Sequence, residues 1–127
     1  VVLRFRHGVP VVEAEHPLPE GVPDFTPAAA TDGDRYVYVA GGQLGLFCSL
    51  ATNATWRLDT LDLSWLRLPD LPEPRQGGAA VFLKGSLHLV GGVRNRELPI
   101  GSEAVPHWKL DLQALAWQRL SGLKGGG

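Results

Sequence analysis

Four histidines, one cysteine and three loop arginines are the side chains whose types and positions could do chemistry in this 127-residue chain. The histidines are His7, His16, His88 and His107. No two stand at the spacing of metal ligands, and no cysteine lies near them in sequence. They read as structural or surface residues, and neither a metal nor any other cofactor is expected. Cys48 sits in "GLFCSL", with no neighbouring positive charge to lower its pKa, so it reads as a buried or incidental thiol rather than a nucleophile. "GxSxG", P-loop and "HExxH" motifs are absent. "GGQLGL" ends a strand and leads into no helix, which excludes a dinucleotide turn. Asn53-Ala54-Thr55 has the pattern of a glycosylation sequon, a triplet that also arises by chance. No catalytic residue is expected.

The arginines suggest recognition instead. Guanidinium forks suit carboxylates, and an apolar loop suits an anchoring side chain. Two long segments carry these features. Gln43–Thr55 is uncharged and holds Leu44, Leu46, Phe47 and Leu50; Val93–His107 holds Arg94, Asn95, Arg96, Glu97 and Glu103. Arg75 stands between them in "LPEPRQGG" and is read either as a binding residue or as making an internal hydrogen bond.

Composition narrows the partner. Twelve Lys and Arg against 13 Asp and Glu give a net charge of −1, which supplies no electrostatic footprint for nucleic acid or a membrane surface. A single cysteine cannot form an internal disulfide, so a reducing compartment is expected, the cytoplasm or else the nucleus. No apolar run approaches the ~18 residues of a membrane span. The sequence opens on Val1, without an initiator Met or a signal segment, and is expected to be part of something longer.

The elements that position these residues repeat. "WRLDTLDLSW" spans Trp56 to Trp65, and "WKLDLQALAW" spans Trp108 to Trp117. These pairs use all four Trp of the chain, and each is followed by a residue of free choice, then Arg and Leu. Upstream of each lies a Gly doublet, in "YVYVAGG" and "SLHLVGG". A half copy, "VVLRF" to "VVEAEHPLPEGVP", comes first. The runs are short, rich in Val, Leu, Tyr and Trp, and bounded by Gly, Pro, Asp or Ser, as strands are. "LDTLDL" is the best helical candidate, but it is too short and lies between strand runs. Sixteen Gly and ten Pro suit the tight turns this requires. Ten strands are predicted, two in the half copy and four in each full copy. Four antiparallel strands at a period of about 50 residues is a propeller-blade pattern.

Over nearly its whole length the chain resembles Kelch-repeat proteins of the substrate-adaptor type. The resemblance rests on Gly41-Gly42 and Gly91-Gly92, on Asp59 and Asp111 six residues before a Trp, and on "LPEPRQGGAAVFLKGSLHLVGG". The sequence departs from it at His88 and Leu58, where many Kelch blades have Tyr. The linker "PEGVPDFTPAAA" also departs from it, as does the half copy, which has Val12 at the position of Trp65.

The resemblance implies an all-β, Kelch-type β-propeller, about two and a half four-stranded antiparallel blades of a larger ring. Residues 1–19 would be the last two strands of a blade, 26–72 and 77–120 full blades, and 121–127 a tail. The remaining blades would come from the parent chain or from other copies, and the chain alone would not be self-sufficient. Trp56, Trp65, Trp108 and Trp117 would fix packing between blades, with Trp117 on the outer face of the last blade. The Gly doublets would allow close backbone approach. The two long segments and the linker would share one propeller face. That face would gather Arg75, Arg94, Asn95 and Arg96 beside Phe47, for a protein partner with an acidic peptide segment. The implied function is substrate recognition, in the manner of receptors for cullin-RING ubiquitin ligases. Propeller enzymes, oxidases or sugar-processing, and actin scaffolds are the alternatives. A copper oxidase needs several His and Tyr ligands, and the only tyrosines are Tyr36 and Tyr38 in one strand.

Overall fold

The computed structural model describes residues 2–14, 18–23, 26–44, 51–93 and 105–123. Its regular elements are all strands. β1 (Val2–Arg6) and β2 (Val9–Ala14) form a hairpin. β3 (Ala28–Thr31), β4 (Tyr36–Ala40), β5 (Thr55–Asp59) and β6 (Ser64–Leu68) form an antiparallel sheet in chain order. β7 (Ala79–Leu83), β8 (Ser86–Val90), β9 (Val105–Asp111) and β10 (Ala116–Leu123) form a second. The chain is all-β, with two complete four-stranded blades.

Turn chemistry explains the hairpins. Lys84-Gly85 joins β7 to β8 with both residues at positive φ, the two-residue turn whose twist matches paired strands. His7-Gly8 does the same for β1 and β2. The turns β5–β6 and β9–β10 are four residues long and begin at the two repeated aspartates. Asp59 Oδ1 accepts from the Leu61 amide, and Asp111 Oδ1 from the amides of Gln113 and Ala114. The amides of Leu63 and Leu115 then close each turn onto the Asp59 and Asp111 carbonyls. "LDTLDL" is therefore the end of a strand and its turn.

Strand alternation gives each sheet two faces. In the second sheet Leu87, Leu89, Trp108 and Leu110 point one way and are buried. They meet Ala28, Tyr38, Ala40 and Leu68 of the first sheet, with Leu71 of the linker. The Tyr38 ring stacks on Phe82 of β7, centroids 5.4 Å apart and planes 2° from parallel. The Trp-bearing face of the first sheet turns the other way, where Trp56 joins Val22 and Ala54, with Trp65 against them.

One expectation is corrected here. Trp117 does not lie on an outer face. It packs against the core between the sheets, and its indole N–H donates to Pro69 O at the end of the first blade, 2.8 Å away. The reason is the strand period: Trp117 lies opposite Leu110, so it shares that residue's buried face.

The arginine after each Trp pair also finds a reason. Arg67 lies opposite Trp56 and Arg119 opposite Trp108. Their guanidinium carbons sit 5.5 Å and 5.4 Å from the indole rings, within cation–π range.

Candidate binding face

The long segments after β4 and β8 leave from the Gly doublets, and the linker 69–78 ties both doublets together. The Gly42 amide donates to Arg75 O at 2.7 Å, and the Arg75 amide to Thr52 O at 3.2 Å. One residue on, Gln76 and Val93 exchange backbone hydrogen bonds, both 2.9 Å. The base of the first loop is held by the Thr52 amide on Gly42 O and by a bridge between Gln43 and Ala51. Both loop bases thus stand on one side of the two sheets, on either side of Arg75-Gln76.

Glycine is required where these backbones cross. At Gly41, with φ +67°, a Cβ would run into the Arg75 carbonyl; at Gly92 it would come within 2.9 Å of Gln76 O. Gly42 and Gly91 share the positive φ, but a Cβ on Gly91 would meet only Val105, at an ordinary 3.8 Å. Close approach therefore accounts for one glycine of each doublet that can be compared in this way.

The predicted binding residues fall in two groups. Phe47, Arg94, Asn95 and Arg96 lie outside the described residues. Arg75 is described, and its side chain is only 5% exposed. Its guanidinium pairs with Glu73 at 3.1 Å and reaches toward Gly92 O at 3.4 Å. Glu73 also lies 3.8 Å from Arg119. Arg75 is thus buried between the two loop bases, with its guanidinium turned to Glu73 and Gly92 O. The Arg75–Glu73 contact follows from two residues of separation in the linker; Arg119 reaches Glu73 only through the packing of the two sheets.

Of the predicted structural aspartates, Asp59 does more than close its turn. Arg35 grips its carboxylate at 2.9 Å and 2.6 Å. That hydrogen bonding holds Asp59 below the usual carboxylate range and raises Arg35. Asp111 is also lowered, by the amides of Gln113 and Ala114.

Sequence spacing missed one pair. His88 Nδ1 and His107 Nε2 lie 2.9 Å apart. Nineteen residues separate them in the chain, and only the β8–β9 register, which sets Val90 opposite His107, makes them neighbours. Among the described residues, no three His, Cys, Asp or Glu side chains gather as a metal site, and no helix is long and apolar enough to cross a membrane.

No protein-family model matches the chain. Relatives match by sequence. A Kelch repeat-containing protein of Arabidopsis thaliana is 40% identical over 80 residues, 63% of this chain and 18% of that protein. An F-box/kelch-repeat protein of the same plant is 37% identical over 68 residues, 54% of this chain and 19% of its own length. A Kelch repeat protein of vaccinia virus is 38% identical over 60 residues, 47% of this chain and 11% of its own length. These are Kelch repeats. The matched stretch spans a fifth or less of each relative. Among solved structures, a fungal alcohol oxidase in complex with copper shares the fold, superposing with a TM-score of 0.66 at 14% identity, over 77% of this chain and 22% of that one.

Proposed function

We propose that the chain is a non-catalytic, protein-binding Kelch module whose partner docks on the face carrying the loops 43–55 and 93–107. The observation that carries this reading is the linker. Its backbone hydrogen bonds to Gly42, Thr52 and Val93 bring two chemically different loop bases to one side of a stiff double-sheet support. Loops held on a rigid scaffold are where recognition resides. Arg94, Asn95 and Arg96 offer forks and an amide to an acidic segment of the partner, and Phe47 offers an apolar anchor. Arg75, buried on Glu73, keeps the floor in place. Substrate recognition for a ubiquitin ligase is the finer reading. It draws on the resemblance to Kelch substrate adaptors and on the relative that combines Kelch repeats with an F-box. Residues 1–19, 26–72 and 77–120 act in this reading as a part blade and two full blades of a ring completed by further blades.

The test is a binding partner captured with the parent protein and then titrated. Changing Arg94 and Arg96 together to Ala should weaken binding by more than ~1 kcal/mol, the scale of hydrogen bonds to charged groups. Unchanged affinity in a folded variant removes this face from recognition. Turnover of an alcohol by the copper-loaded chain would overturn the non-catalytic reading.

A further inference from the structure

The outward face of the second sheet carries Val81, Ser86, His88, Val90, His107 and Lys109. In the first sheet the equivalent face, with Tyr36 and Tyr38, is covered by the second sheet. His88 stands where the first sheet has Tyr38. Instead of stacking on a neighbour it meets His107.

The contact has the geometry of a hydrogen bond. The ring centroids are 5.2 Å apart with the facing nitrogens at 2.9 Å. That is about as far apart as two imidazoles can lie with those nitrogens in contact, so the nitrogens point at each other. Two ligands of one metal ion would instead converge on a point beside the line between them. One nitrogen donates and the other accepts. A neutral pair can do this, and so can a pair carrying a single positive charge. Two imidazolium rings cannot, because both facing nitrogens are then donors.

We propose that His88 and His107 form a proton-sensitive clasp between β8 and β9, closed while the pair carries at most one charge and broken when both rings are protonated. The surroundings sharpen it. Lys109 lies directly across from His88 on β9, and Val81 across from it on β7. Val90 and Leu120 flank His107. Asp111, farther along β9, has its carboxylate committed to the amides of Gln113 and Ala114. The described residues therefore set one cation and no free carboxylate beside the pair. His88 accordingly lies below the ordinary value of 6.5, first through burial, then through the charges of His107 and Lys109.

The sign follows from proton counting. The unfolded chain takes up the second proton near 6.5, and the folded chain resists it. The clasp's stabilisation is complete above that pH and is lost as the pH falls below it.

Urea unfolding of the full chain between pH 8 and pH 5, with NMR titration of the imidazole rings, tests this. Below about pH 6.5 the folding equilibrium constant should fall by up to about tenfold per pH unit, the limit for one differential proton. His88→Tyr, which restores the residue of the first sheet, and His107→Gln should each remove that component, and together remove no more. In the unchanged chain the His88 ring should stay neutral below the ordinary value of 6.5. Independent titration of both rings near the ordinary value, or an acid slope equal in the folded variants and the unchanged chain, would overturn the clasp.

Discussion

In the first four-stranded sheet Asp59 is gripped by Arg35 from the β3–β4 turn; in the second, Asp111 at the same repeat position binds only turn amides in the contacts described. The two-residue turn Lys84-Gly85 explains the difference, since it sets Gly85 where the longer first turn has Arg35. A second contrast lies on the faces. Tyr38 stacks on a neighbouring sheet, whereas its counterpart His88 bonds within its own sheet. A third lies in the Gly doublets. Gly41 is pressed against the Arg75 backbone, and Gly91 has room. Residues that shape a strand pair are thus kept in both copies: the Trp pair, the Asp that opens its turn, the Arg above the indole. Residues at the joint between units diverge, because each joint has its own neighbour.

The largest effect should come from the Trp positions. Trp108 belongs to the large cluster between the sheets, while among the described residues Trp56 sits in a smaller cluster with Val22 and Ala54. Trp108→Ala should cost about 3–5 kcal/mol, the range for losing a buried aromatic. Trp56→Ala should cost less, in urea unfolding followed by fluorescence of the remaining tryptophans. Equal costs would mean that the inter-sheet core does not dominate.

The glycine contrast should be smaller. Gly91→Ala pays mainly for the positive φ, about 1 kcal/mol. Gly41→Ala pays that and must also displace the linker backbone, so its cost should exceed about 2 kcal/mol. The difference in denaturation midpoint between these variants measures how tightly the linker is stapled.

The smallest effect should be a gain. Leu63 and Leu115 occupy the left-handed region at φ +59° and +53°, at the same place in equivalent turns. Leu115 is 51% exposed, so its side chain adds little packing. Leu115→Gly should stabilise by about 0.5 kcal/mol, relief of the left-handed strain less the extra freedom of glycine when unfolded. Half-buried Leu63 should gain less from the same change.

Much of this was legible in the chain. The offset between "WRLD" and "WKLD", the Gly doublets and the short Val-, Leu- and Tyr-rich runs specify the ten strands found among the described residues, because period-two alternation and turn residues are local properties. The strand count and their grouping follow from the repeats alone. The Asp positions were legible for the same reason, since their work is done within a few residues.

What the sequence could not determine is which groups meet across the fold. Trp117 bonds to Pro69, 48 residues away, and this decided that it faces inward. The sequence leaves Arg75 readable as a binding residue or as making an internal hydrogen bond; only the tertiary structure buries its guanidinium against Glu73. His88 and His107 carry no ligand spacing in the chain; the β8–β9 register and diagonal side-chain reach make them a pair. Local patterning fixes a strand and its two faces, but packing chooses which face is covered and which charges lose water. Those choices set the partners of Trp117, Arg75 and His88, and they belong to the tertiary structure.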